Sequence, residues 1–117
     1  MATFILLLHE SPARFADLSP EEIQKVVSQY IAWRQDLVQR GQLRGGEKLT
    51  GDGGRQVRLQ NGQVAITDGA FTETTEVIGG YFLIEADNYE AATAIAATCP
   101  HLKGAQWVEV RQLDAVH

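Results

Sequence analysis

Apolar residues fall in two kinds of pattern along this chain, and the switches between them mark out its elements. Phe4 to Leu8 is a continuous apolar run of strand length, which predicts a central strand covered on both faces. Ser19-Pro20-Glu21-Glu22 then combines an N-cap serine, a proline at the first helical position and a glutamate placed to close a capping box. Behind it Ile23, Val26, Val27, Tyr30, Ile31, Trp33, Leu37 and Val38 recur at three- and four-residue spacing, and Gly41 supplies a stop. The spacing predicts a long helix with one face on the sheet.

The middle third reads as turns and hairpins, because eight of the eleven glycines lie between Gly41 and Gly69. Asn61-Gly62 is the favoured two-residue type I′ turn, and folding about it sets Leu59 opposite Val64 and Val57 opposite Ile66. Gly51-Asp52-Gly53-Gly54 reads as a hairpin loop; it lacks the Gly-Lys-Ser/Thr ending of a phosphate-binding loop. Val77 to Ala86 is apolar on both alternations, a second central strand, with Gly79-Gly80 allowing a bulge or a close backbone approach. A second helix is expected from Asp87 as N-cap with Glu90 at the third position, carrying Ala92, Ile95, Ala96 and Cys99 on one face and closed by Pro100. Gln106 to Leu113 alternates as a last strand, with Val108 and Val110 against Trp107, Glu109, Arg111 and Leu113.

This order is the split βαβ, ferredoxin-like plan of an α+β domain with an inserted β-hairpin. Both helices would cover one sheet face. The other face, with Trp107 on it, is too apolar to leave wet, and a homodimer that pairs the two sheets as an α/β barrel is the expected cover. A chain of 117 residues suits one domain spanning 1–117. No apolar run approaches the roughly 18 residues of a membrane span, and the apolar amino terminus has no basic region before it. A single cysteine, Cys99, rules out an internal disulfide and suits the cytoplasm. The net charge of -5, with scattered Lys and Arg, argues against direct nucleic-acid binding.

Candidate chemistry gathers first at Thr67 to Glu76, where Asp68, Glu73 and Glu76 surround Phe71 just before a central strand. Carboxylates converging at a strand entrance can serve as a general base or hold the donors of a ligand; a turn made by Asp68-Gly69 and anchored by Phe71 is the structural alternative. His9, at the end of the first strand, can reach a cleft mouth as a proton carrier or simply stand at a strand end. Glu47 can face the same cleft or stand exposed on the surface, and Tyr30 and Trp33, with Tyr81 and Trp107, can form an aromatic pocket or serve the core or a dimer contact. Asp68, Glu73 and His9 are thus the catalytic candidates, and Tyr30, Trp33, Glu47, Phe71 and Glu76 the ligand-binding ones. Neither His-x-x-x-His nor Cys-x-x-Cys spacing occurs, so no metal is expected, and no cofactor. His101 reads as a loop residue and Cys99 as part of the core.

The run Ile66 to Ile84, with Gly45-Gly46-Glu47-Lys48-Leu49, Cys99-Pro100 and Val108-Glu109-Val110-Arg111, resembles the YCII-related proteins of the DGPF type. That resemblance implies a bacterial, dimeric α/β-barrel protein. Ala70 stands where the family has proline and Thr75 where it has lysine. Shorter relatives are thought to use a His and Asp pair with the His on the first helix, and this helix has none. Two functions are implied: a cofactor-free small-molecule enzyme or binding protein with an acidic and aromatic cleft, or a non-catalytic interaction module linked to transcription through sigma factors.

Overall fold

The computed structural model describes residues 1–11, 16–68 and 76–115. Its elements run β1 (Ala2–Glu10), α1 (Pro20–Gln39), β2 (Leu43–Lys48), β3 (Arg55–Gln60), β4 (Gln63–Asp68), β5 (Val77–Ala86), α2 (Tyr89–Ala96) and β6 (Trp107–Gln112). Four strands form one sheet in the order β2-β5-β1-β6, with every neighbouring pair antiparallel. With β3 and β4 set aside, this is the ferredoxin-like order of an α+β fold. β1 and β5 are the two central strands, as their unbroken apolar runs predict.

Alternation along the strands separates two sheet faces. Phe4, Leu6 and Leu8 of β1 and Phe82, Ile84 and Ala86 of β5 point to the helices, where they meet Trp33 and Leu37 of α1 and Ala92 and Ala96 of α2. Cys99 joins this core. The other alternation is Ile5, Leu7 and His9 of β1, Tyr81 and Leu83 of β5, and Trp107, Glu109 and Arg111 of β6. No element of the described chain covers that face.

Local chemistry sets the helix ends. The Glu22 N–H donates to Ser19 Oγ and the Ser19 N–H to Glu22 Oε1, both at 3.1 Å, closing the predicted capping box. At the other end Gly41 takes φ 70°, and the Gly41 and Gln42 N–H groups bond the carbonyls of Val38 and Leu37, a Schellman motif. The buried stripe of α1 is narrower than its sequence suggests: Trp33 and Leu37 are buried, whereas Val27, Ile31 and Val38 are exposed. A second correction concerns α2, whose N-cap is Asn88 and not Asp87. The Asn88 side chain accepts from the Ala91 N–H at 2.9 Å, so the helix starts one residue later.

The inserted hairpin has the predicted register, Val57 opposite Ile66 and Leu59 opposite Val64, about a turn in which Asn61 and Gly62 have φ 52° and 78°. It forms a two-stranded sheet of its own. Residues 51–54 therefore do not close a hairpin; they carry the chain from β2, paired with β5, to β3, paired with β4. The Asp52 carboxylate accepts from the Gly54 N–H and the Thr50 hydroxyl, which holds its pKa below the ordinary aspartate value.

Candidate functional site

β1 and β6 bring their polar residues together at one end of the uncovered sheet face. His9 and Trp107 are register partners, and Glu109 follows Trp107 by two residues on the same face, a diagonal neighbour of His9. The His9 Nε2 lies 2.9 Å from Glu109 Oε1, with His9 largely covered and Glu109 about one-third exposed. The imidazole stacks on the Trp107 indole with ring centroids 3.9 Å apart and planes 6° from parallel. At the edge of the indole, Trp107 Nε1–H donates to Glu76 Oε2. Arg111 Nη1 stands 3.6 Å from the second oxygen of Glu109.

This arrangement fixes a tautomer. An ionised carboxylate can only accept, so Nε2 carries a hydrogen, and in the neutral ring the lone pair then lies on Nδ1. A neutral imidazole oriented by a carboxylate through one nitrogen and open at the other is the form in which histidine works as a general base. Removing a proton with Nδ1 would create an imidazolium already paired with Glu109. The stacked indole limits rotation of the ring, and Glu76 limits rotation of the indole.

A second polar group lies behind His9, on the helix side of the sheet. His101 is fully buried. Its Nε2 bonds the His9 carbonyl at 2.8 Å and its Nδ1 bonds the Tyr30 hydroxyl at 2.9 Å. Glu10 is also buried, with its carboxylate over Gly79, where the ladder shifts from Leu8 opposite Gly80 to His9 opposite Ile78.

Of the residues expected at a site, His9 and Glu76 are brought together, through Trp107. Glu47 shares the sheet face: Glu47, Tyr81, Leu7 and Glu109 make one row across the four strands, which places Glu47 about 14 Å from the dyad end of the row. Asp68 ends β4 in an exposed ion pair with Arg55, 3.1 Å apart. Glu73 and Phe71 lie outside the described residues. Tyr30 and Trp33 stand on the opposite side of the sheet. Trp33 donates through Nε1 to Thr98 Oγ1 at 2.8 Å and lines a groove of about 530 Å³ with Asp36, Leu37, Ala91 and Ile95. That groove opens near Met1 and Ala86, at the end of the sheet away from His9.

Sequence reasoning missed Glu109 and His101. The alternation of β6 does place Trp107, Glu109 and Arg111 on one face, but only the pairing register of β6 with β1 puts that face beside His9. Nothing in the order Cys99-Pro100-His101 signals that the ring turns inward. Among the described residues, no helix is long and apolar enough to cross a membrane.

Among curated proteins none is similar enough to match the chain. The profile of the YCII-related domain matches residues 2–114, and over that length every element of the fold is included. The chain therefore belongs to the YCII-related family.

Proposed function

We propose that the uncovered sheet face is the functional face, and that His9, Glu109 and Trp107 form a small-molecule site working by proton transfer through its own side chains. The observation that carries this reading is the His9 ring, held between the Trp107 indole and the Glu109 carboxylate with Nδ1 left for a ligand. His9 Nδ1 accepts a proton from a carbon acid or a hydroxyl, Glu109 stabilises the resulting imidazolium, and the indole presents an apolar wall to a flat substrate. Small enolisable or phenolic compounds fit this chemistry. The proton-transfer role falls to His9 and Glu109 in preference to Asp68, which is exposed and tied to Arg55. The run from Ile66 to Ile84 supports the DGPF type within the family, and the lone, buried Cys99 supports a cytoplasmic setting.

The reading is tested by deuterium exchange into a panel of small β-dicarbonyl compounds in D₂O, followed by proton NMR. The wild-type protein should accelerate exchange of at least one member. His9→Asn should reduce that acceleration about a hundredfold or more, as expected for loss of a general base, and Glu109→Gln should reduce it by a smaller factor. Equal rates for wild type and His9→Asn would refute the assignment.

One observation favours a second element of the reading, self-association as a homodimer. Val57, Leu59, Val64 and Ile66 share one face of the hairpin and are 66%, 73%, 67% and 67% exposed. A two-stranded hairpin is marginal in water by itself, and an exposed aliphatic face makes it more so. The uncovered sheet face measures roughly 400 Å² in projection, and the hairpin face adds roughly 200 Å². Side-chain relief raises the accessible area towards the ~800 Å² per partner of a standard interface only when both faces take part. A second copy meets both with matching apolar surface, and it would enclose the His9 site between two sheets in barrel fashion. This surface also supports an interaction role for the domain, with its own copy as partner in preference to a sigma factor.

A further inference from the structure

We propose that His101, backed by Tyr30, is a positioning residue that sets the geometry of the His9 site through the main chain of β1 and through the Gln106 side chain at the entrance of β6. The inference rests on the reading of His9, Glu109 and Trp107 as the site.

The hydrogen-bond directions follow from the partners. The His9 carbonyl can only accept, so His101 Nε2 carries the hydrogen and donates across 2.8 Å. In the neutral ring Nδ1 is then the acceptor, and the Tyr30 hydroxyl donates to it across 2.9 Å. The main-chain carbonyl of His101 is used as well: it accepts from Gln106 Nε2 at 2.8 Å and from the Lys103 N–H at 2.9 Å. Gln106 immediately precedes Trp107, the first residue of β6. One fully buried residue is therefore bonded to β1 at His9 and to the entrance of β6 beside Trp107.

β1 needs such a constraint at this point. Its ladder with β5 shifts between Leu8 and His9, where Gly79 is the extra residue, so β1 to β5 pairing alone does not dictate the direction in which His9 leaves the strand. The bond from His101 supplies that direction. The Tyr30 hydroxyl keeps the hydrogen of His101 on Nε2, where the His9 carbonyl needs it. A buried histidine serving stability alone would be expected to satisfy its nitrogens anywhere. This one takes the carbonyl of the site residue itself.

The test reads the site geometry without any ligand, so it is independent of the exchange assay. Stacking against the Trp107 indole should displace the His9 ring protons upfield in the NMR spectrum of the wild-type protein. Tyr30→Phe keeps the ring and removes only the hydroxyl; His101→Gln keeps a donor on a different framework; Ile95→Val serves as a core control of modest cost. The proposal expects the upfield displacement to be largely lost in His101→Gln and reduced in Tyr30→Phe, with the folded methyl spectrum retained, while Ile95→Val leaves it in place. An unchanged displacement in folded Tyr30→Phe and His101→Gln would overturn the proposal and leave His101 a stability residue only. If positioning fails while His9→Asn still abolishes exchange, the function stands without it. If positioning holds and exchange is absent, the geometry is built for some other use.

Discussion

At Gly79 one missing methyl group decides how β1 can end. A Cβ built there would lie 2.0 Å from Glu10 Oε1 and 2.2 Å from its carboxyl carbon, so the buried carboxylate occupies the space of the absent side chain. Gly79→Ala displaces only the end of the flexible Glu10 side chain, so its cost should sit near the low end of the roughly 1–3 kcal/mol range for overpacking a filled site. The cost should shrink in a Glu10→Ala background, with a coupling of about 0.5–3 kcal/mol between the two changes in urea unfolding. Additive effects would mean that the carboxylate moves aside freely. The Gly79-Gly80 pair was legible in the sequence as a bulge or a close backbone approach, and the ladder shift between Leu8 and His9 is the bulge. The acid that fills the space was not legible, since Glu10 lies far from Gly79 in sequence and meets it only through strand pairing. His101 was illegible for the same reason.

Elements whose determinants are local were read almost directly. The capping box at Ser19 and the stop at Gly41 act within a few residues of themselves, so the ends of α1 follow from the chain. Ser19→Ala should cost about 1 kcal/mol in urea unfolding. The same bonds give a pH dependence. Bonds from the Ser19 N–H and hydroxyl hold the Glu22 pKa below its ordinary value, and the Gly54 N–H and Thr50 hydroxyl do the same for Asp52. With folded values below unfolded ones, both groups stabilise the fold above the ordinary carboxylate range. That contribution is lost as pH falls through the lowered values, below about pH 4. Wild-type stability should therefore decline from about pH 5 to about pH 3 more steeply than that of a Glu22→Gln, Asp52→Asn double variant, in which neither group titrates; equal slopes would show that these bonds do not discriminate between protonation states. Where two local signals compete, the sequence is ambiguous: Asp87 and Asn88 are both good caps, and the chain uses the second. Residues 51–54 carry turn chemistry whichever strands they join, so their place between two sheets was set by pairing and not by composition.

Across the whole molecule, the ferredoxin-like order was legible because unbroken apolar runs mark central strands and two amphipathic helices need one face to cover. What could not be read was the register of β6 against β1, and the candidate site depends on it: one residue of slip would turn Trp107 and Glu109 away from His9. The apolar hairpin was legible in register but not in exposure, since alternation does not say what an apolar face meets. Light scattering at micromolar concentration should give about twice the 12.9 kDa chain mass. Leu59→Asp with Val64→Asp should shift the mass towards the monomer, and should leave the thermal unfolding of the four-stranded core in place, because both side chains are mostly exposed within the chain. A monomer for the wild-type protein would remove the second copy from the account.

The proposed site lies on the face of His9 and not in the groove between the helices, and the two tryptophans report on one place each. Trp107 stacks on His9, and Trp33 lines the groove. A nitrogen-15 and proton NMR titration of the indole N–H signals with the β-dicarbonyl and phenolic panel separates them. Binding compounds should shift Trp107 Nε1–H and leave Trp33 Nε1–H in place; shifts at Trp33 with Trp107 unmoved would put the site in the groove and refute the assignment to the His9 face.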